Sequence, residues 1–259
     1  MKISKSLLMT SLLPIVVATL VNTTLVNTTA FAQQPWDGTI VQYGTMHEAI
    51  GMQQHQGRVQ LIDLVKQPHF YAVAALEGLA GEVTILDNKV VITGVGSNGQ
   101  LTPISNVDGD RQATMLAGAY VPSWTRHSVL DNVAPKDFDQ WIASSALAAG
   151  VDTDKPFIFS LEGQFTDVSL HVIHGACPIH ARVQKIELPK EQQPFESELK
   201  KVAGTIVGIY AKDAVGNLTH PATSTHAHLL YKDKTTGKLL TGHIEKIGLA
   251  EGTVLMLPR

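Results

Sequence analysis

Cysteine is almost missing: Cys177 is the only one in 259 residues. The chain cannot close an internal disulfide, so its stability must come from packing. A lone thiol is also unusual in an oxidising compartment. The stretch "HGACPIH" sets Cys177 between His174 and His180, which raises a Cys/His nucleophile. Nothing nearby supplies the group that would orient the base, and free cysteine is among the most often buried residues. The buried reading is preferred. Runs of positive charge are lacking too. Net charge is −3 with the lysines and arginines dispersed, which argues against a nucleic acid partner. Beyond the N-terminal segment no apolar run approaches the ~20 residues of a membrane span. No internal period of about 20–50 residues marks a repeat array.

The N-terminal segment has its own pattern. Lys2 and Lys5 precede an apolar run from Leu7 to Leu20, and Ala30-Phe31-Ala32 is a small-x-small cleavage site. That is the layout of a secretory signal peptide. The apolar part is too short for a membrane anchor and dissolves into "VNTTLVNTT". Cleavage is expected after Ala32, giving a secreted or periplasmic protein with no membrane attachment.

Short runs rich in Val, Ile and Leu alternate with turn formers. "GEVTILDNKVVITGVG" reads as two strands across a turn at Asp87-Asn88-Lys89. "PFIFSLEGQFTDVSLHVIHG" reads as two more across a turn near Glu162-Gly163, and "KVAGTIVGIYAKD" and "HLLYKDKTTGKLLTGHI" add strands near the C-terminus. Helical spacing is weaker. "TMHEAIGMQQHQGRVQLIDLVKQ" opens with Thr45 and Glu48 as a capping box, and "APKDFDQWIASSALAAG" stops at Gly150. The expected fold is α+β, with mixed or antiparallel β-sheets and a few helices. The expected division is a signal peptide over 1–32, an N-terminal α/β subdomain over 33–150 and a C-terminal β-rich subdomain over 151–259.

Three of the eleven histidines fall between Thr225 and Ile244. In a strand His226 and His228 share a face, with Ala227 turned away. Asp233 to Lys238 should reverse the chain. If Tyr231 lies opposite Leu240, His228 lies opposite His243, with Cβ atoms roughly 4.5–5.5 Å apart. Three imidazoles would then meet on one face and could hold a first-row divalent cation with positions left open, the pattern of a catalytic site. A one-residue slip would send His243 to the other face, and the plain alternative is three solvent-facing strand residues.

"HAHLLYKDKTTGKLLTGHI" resembles the C-terminal metal hairpin of the α-acetolactate decarboxylases, in which an H-x-H pair is followed by an Asp-containing turn and Gly-His. "LAGEVTILDNKVVI" resembles that family's Leu-Asp-Gly-Glu stretch, with Glu82 at the metal-associated glutamate and Ala80 at the aspartate. The likeness runs in order along most of the chain after Ala32. It implies the family's two-subdomain fold, zinc or another first-row divalent metal held by His226, His228 and His243, and Glu82 beside them. It also implies conversion of 2-acetolactate, or a related 2-hydroxy-3-oxo acid, to acetoin and carbon dioxide. The family's arginine is matched here by Ser160, which has no charged fork to hold a carboxylate. Arg182 in "HARV", or Arg126, is the candidate replacement. The family's tail also bears a second active-site glutamate, beyond the point matched by "LMLPR", and the hairpin turn is longer here. His171, His174 and His180 are further polar groups near the expected site, where they could serve as auxiliary ligands or proton donors, but most are expected to be ordinary surface histidines of an edge strand. The partner is then a small 2-hydroxy-3-oxo acid, with a homodimer left open. The alternatives are a catalytically inactive metal- or small-molecule-binding protein on the same fold, and a metal-free structural protein.

Overall fold

The computed structural model describes residues 35–106 and 109–259. The expected signal segment therefore lies outside the described residues. Among these residues no helix is long and apolar enough to cross a membrane.

Alternating and continuous apolar runs fold into two mainly antiparallel sheets. The first holds β1 (Val41–Tyr43), β2 (Val59–Gln60), β3 (Phe70–Leu76), β4 (Glu82–Leu86), β5 (Lys89–Val95), β6 (Leu101–Ile104) and β7 (Gln112–Tyr120). Its order is β1-β7-β3-β4-β5-β6, with β2 beside β7. The β4–β5 hairpin turns where expected, because Asp87 and Asn88 both accept positive φ, at 46° and 67°. Turns of that hand match the twist of the strands they join.

The second sheet holds β8 (Trp124–Ser128), β9 (Phe157–Val172), β10 (Phe195–Tyr210), β11 (Thr225–Lys232), β12 (Leu239–Leu249) and β13 (Val254–Pro258). It curls back on itself: β12 pairs with both β11 and β9, and β9 also pairs with β10, which pairs with β11. This ring leaves few free strand edges to pair with other chains.

β9 corrects the two-strand reading of "PFIFSLEGQFTDVSLHVIHG". The chain runs through Gly163 without reversing, paired with β10 from Phe157↔Tyr210 to Val172↔Phe195. Gly163 has φ +154°, and a Cβ there would sit 2.8 Å from Thr253 Cα. Glycine therefore marks a close approach here, not a turn. The first helical expectation also shrinks. The capping box forms, with Glu48 N donating to Thr45 Oγ1 at 3.0 Å and Thr45 N donating to Glu48 Oε2 at 2.9 Å. It opens only one π-type turn, His47–Gly51, and the next helix, α1, is Leu61–Leu64. Gly51, Gly57 and a left-handed Gln53 (φ 55°) interrupt what lies between.

α2 (Phe138–Ala148) is the expected helix, ending before Gly150 in the left-handed conformation. Its Phe138, Ile142 and Ala146 pack on the second sheet with Phe157, Phe159 and Leu229. α3 (Pro178–Gln184) was not expected. The two sheets meet through Tyr71 and Val73 of β3 and Ala117 and Ala119 of β7, packed against Ile158, Val207 and Ile209. Burying each of the larger aliphatics contributes about 1.5–3 kcal/mol.

Candidate metal centre

β11 and β12 pair in the expected register, Tyr231↔Leu240 and His228↔His243. His226 and His228 point from β11 toward the first sheet. His243 on β12 is itself flanked by His171 of β9 across the next pairing. Closure of the second sheet thus sets imidazoles from three neighbouring strands side by side. Ring centroids are 5.2 Å apart for His226–His228, 5.0 Å for His226–His243 and 5.5 Å for His228–His243. One ligand nitrogen from each of the three lies within 4.8 Å of the others. All three are buried, so the solvent-facing alternative does not hold.

Contacts from the first sheet fix His228. Its Nδ1 lies 3.0 Å from the Val83 carbonyl, which can only accept, and 3.2 Å from Thr84 Oγ1. The proton therefore sits on Nδ1, and Nε2 presents a lone pair. That Nε2 is buried without a hydrogen-bond partner. A buried unsatisfied acceptor is costly unless something else fills its valence. Thr84 Oγ1 also meets Thr241 Oγ1 at 2.5 Å, and Thr241 N donates to Thr93 Oγ1 at 2.8 Å. Three threonines from both sheets lock the hairpin against the first sheet.

Glu82 opens β4 and is only 3% exposed. Its Oε2 stands 3.4 Å from His228 Nε2, and its Oε1 3.8 Å from His171 Nε2. Its Oε1 accepts from Ile173 N at 3.4 Å. Burial pushes the Glu82 carboxyl up to about 8, and the Ile173 N–H offsets little of that.

Burial also holds the histidines neutral. It lowers His228 to about 3 and His220 to about 4, and it takes His226 and His243 well below 6.5, with neighbouring histidines adding to the shift. Neutral imidazoles are the form that binds a cation. The donor set, the matched ring spacing and the unpartnered Nε2 fit a divalent metal with nitrogen ligands, zinc among them.

Two residues join the group beyond the hairpin and Glu82. His171 is buried, its ring 4.7 Å from that of His243, and its Nδ1 lies 2.7 Å from Glu245 Oε1. His220, from the segment between β10 and β11, places its ring 4.8 Å from His243. His174 and His180 are only half-buried. Arg182, exposed on the outer side of α3, spends its guanidinium on Glu196 and Glu245, so it reaches the centre only through Glu245 and His171. Burial opposes ionisation of Glu245, but hydrogen bonds from His171 and Arg182 outweigh it and hold the carboxyl at about 2. Ser160 is buried in the sheet and donates to the Ile206 carbonyl, and Arg126 pairs with Glu162 on the surface. Cys177 precedes α3, buried, with its thiol pushed up to about 11 by burial. A thiol so raised is a poor nucleophile.

The sequence matches the alpha-acetolactate decarboxylase family over residues 40–258. The fold is similar to alpha-acetolactate decarboxylase from Bacillus subtilis strain 168, at TM-score 0.63 and 18% identity over 85% of each chain. It is also similar to acetolactate decarboxylase from Bacillus subtilis subspecies spizizenii, at TM-score 0.62 and 17% identity over 85% of this chain and 86% of that one. A Staphylococcus aureus protein described as of unknown function and similar to alpha-acetolactate decarboxylase gives TM-score 0.60 and 16% identity over 85% of each chain. No curated protein matches the sequence.

Proposed function

Because this chain belongs to the alpha-acetolactate decarboxylase family, we propose that its histidine centre binds zinc or a similar divalent metal and catalyses decarboxylation. The substrate is 2-acetolactate or a related 2-hydroxy-3-oxo acid, and the products are acetoin, or the matching ketol, and carbon dioxide. The observation that carries this is the meeting of His226, His228 and His243 beside a buried Glu82. A divalent cation held by the three imidazoles would supply Lewis acidity for the charge left on oxygen as carbon dioxide leaves.

The chain's own groups do the rest. The Val83 carbonyl and Thr84 keep His228 Nε2 aimed inward. Loss of carbon dioxide leaves a carbon that must gain a proton. Glu82, buried beside His228, is the acid placed to hold that proton at its carboxyl oxygen. His171, braced by Glu245, stands next to Glu82 and orients it. The shell of Ile173, Leu79, Ala75 and Met115 keeps bulk water from this proton.

A second reading is a metal- or small-molecule-binding protein without turnover. It is favoured by one observation: among the described residues the buried centre contains no lysine or arginine to hold the substrate's carboxylate. Acetoin release from 2-acetolactate by zinc-loaded protein decides between the two. Release no greater than from the metal-free protein would remove the decarboxylase reading. We also propose that residues 1–32 are removed on export, which the mass of the mature protein tests.

A further inference from the structure

A cavity of about 510 Å³ lies between the turn His47–Gly51 and α3. Its walls are largely apolar: Met46 and Ile50 on one side, Ile179, Val183 and Ile186 on the other, and Val215 from the segment after β10. Val183, Ile186 and Val215 remain 56%, 55% and 55% exposed. Large aliphatic side chains left open around one hollow mark a binding site more often than bare surface.

Two residues connect this cavity to the metal centre. His220 lines the cavity, and its ring packs on those of His243 and His226. Met46 also lines it, and belongs to the apolar cluster with Ala75, Leu79 and Ile173. Ala75 is the register partner of Glu82, and Ile173 N donates to the Glu82 carboxylate. One end of the cavity thus abuts the histidines and the apolar wall around the buried acid.

We propose that this cavity receives an apolar substituent of the substrate, so that the acid turned over carries an alkyl group of several carbons where 2-acetolactate has a methyl. The inference rests on the decarboxylase reading and names its substrate class. Pockets of about 300–1,000 Å³ enclose drug-sized ligands, and an acid of five carbons would leave most of this one empty. The lining is mainly aliphatic, with His47, His180 and Gln184 set among the apolar side chains and Thr219 and His220 at the histidine cluster. An acid with a polar head at the His220 end and an alkyl tail toward Val183 and Ile186 would meet mainly aliphatic side chains along the tail.

The test is a series of 2-hydroxy-3-oxo acids whose alkyl group at C2 runs from methyl to hexyl, with carbon dioxide release measured on zinc-loaded protein. kcat/KM should rise about four-fold per methylene, the transfer of one methylene from water into an apolar site, until the cavity is filled. Val183→Trp, made at an exposed helix position, should fill the hollow and flatten the series. Ile186→Trp should do the same if the first variant folds poorly. A flat or falling series in the unsubstituted protein overturns the proposal, as does a slope that both folded tryptophan variants leave intact. Calorimetry with 2-hydroxy-2-alkyl acids lacking the 3-oxo group separates the two readings, since these acids bind without this reaction. Affinity that climbs with chain length while no acid is turned over keeps the cavity and removes the decarboxylase. Turnover with no dependence on chain length does the reverse.

Discussion

His228 Nδ1 lies 3.0 Å from the Val83 carbonyl oxygen, so a backbone group of the first sheet selects the tautomer of a ring on the second. Thr84 stands beside this bond and ties the same ring to Thr241. Thr84→Val keeps the shape and removes the hydroxyl. It should weaken zinc binding about ten-fold and cost about 1–3 kcal/mol of stability through the polar groups left buried. Competition with a chromophoric chelator and a denaturant melt read the two effects separately.

Metal removal should lower the melting temperature, and added zinc should restore it. At a hundred-fold excess over Kd the gain is about 2.7 kcal/mol. His228→Ala should lose both the bound metal and the zinc-dependent shift. An unchanged melt in the unsubstituted protein on chelation would mean that the three imidazoles are structural polar groups only.

Glu82→Gln is isosteric and removes the acid while sparing the histidines. Zinc content should hold at one per chain, while acetoin release falls by roughly 10²–10⁴-fold, the usual worth of a positioned proton donor. Full activity in this variant would assign the proton to another group.

Arg182→Ala should cut activity by about ten-fold without abolishing it, because the guanidinium acts on His171 only through Glu245. Arg182→Lys should recover part of the loss by keeping one bond to Glu245. Complete inactivity of Arg182→Ala with intact zinc binding would instead place the guanidinium on the substrate.

Cys177 supplies a pH prediction. Its folded thiol is raised from 9.0 to about 11 by burial, so the native protein carries neutral thiol throughout the neutral range. Alkylation by iodoacetamide should be slow at pH 8 and accelerate as pH nears 11, whereas unfolded chain reacts readily at pH 8. The sign for stability follows: the folded state holds its proton longer, so this group's contribution is present below about pH 9 and is lost as pH rises toward 11. Rapid labelling of folded protein at pH 8 would contradict the buried placement.

The hairpin was legible because period-two alternation and a polar turn permit a register in which His228 faces His243, and the pairing of Tyr231 with Leu240 selects it over a one-residue slip. Glu82 was legible only through its match to the family's Leu-Asp-Gly-Glu stretch, since a glutamate after Gly81 at the start of a strand is most often a solvated charge. His171 was placed near the site but expected at the surface: with a turn at Glu162-Gly163, β9 appears as two short strands, and nothing then pairs His171 with His243 of β12 or buries it. A glycine fits both a reversal and a close approach, and only Thr253 packed against Gly163 separates them. His220 comes from a loop, where no periodicity predicts which way a side chain points. α3 did leave a signal, Pro178 at its first turn, the position where a missing N–H costs nothing. Arg182 was singled out by charge alone, and charge does not report that two glutamates already occupy it.

The β11–β12 turn at Asp233–Lys238 is mostly exposed and closes on itself through Asp233 and Thr236. At ~3.4 Å per strand residue, it stands about 17 Å from His228. Its length is therefore uncoupled from the histidine alignment, and residues can be added at its tip without moving the rings. A peptide handle spliced between Thr235 and Thr236 would hang clear of the chemistry and let the folded protein be tethered to a support by its own hairpin.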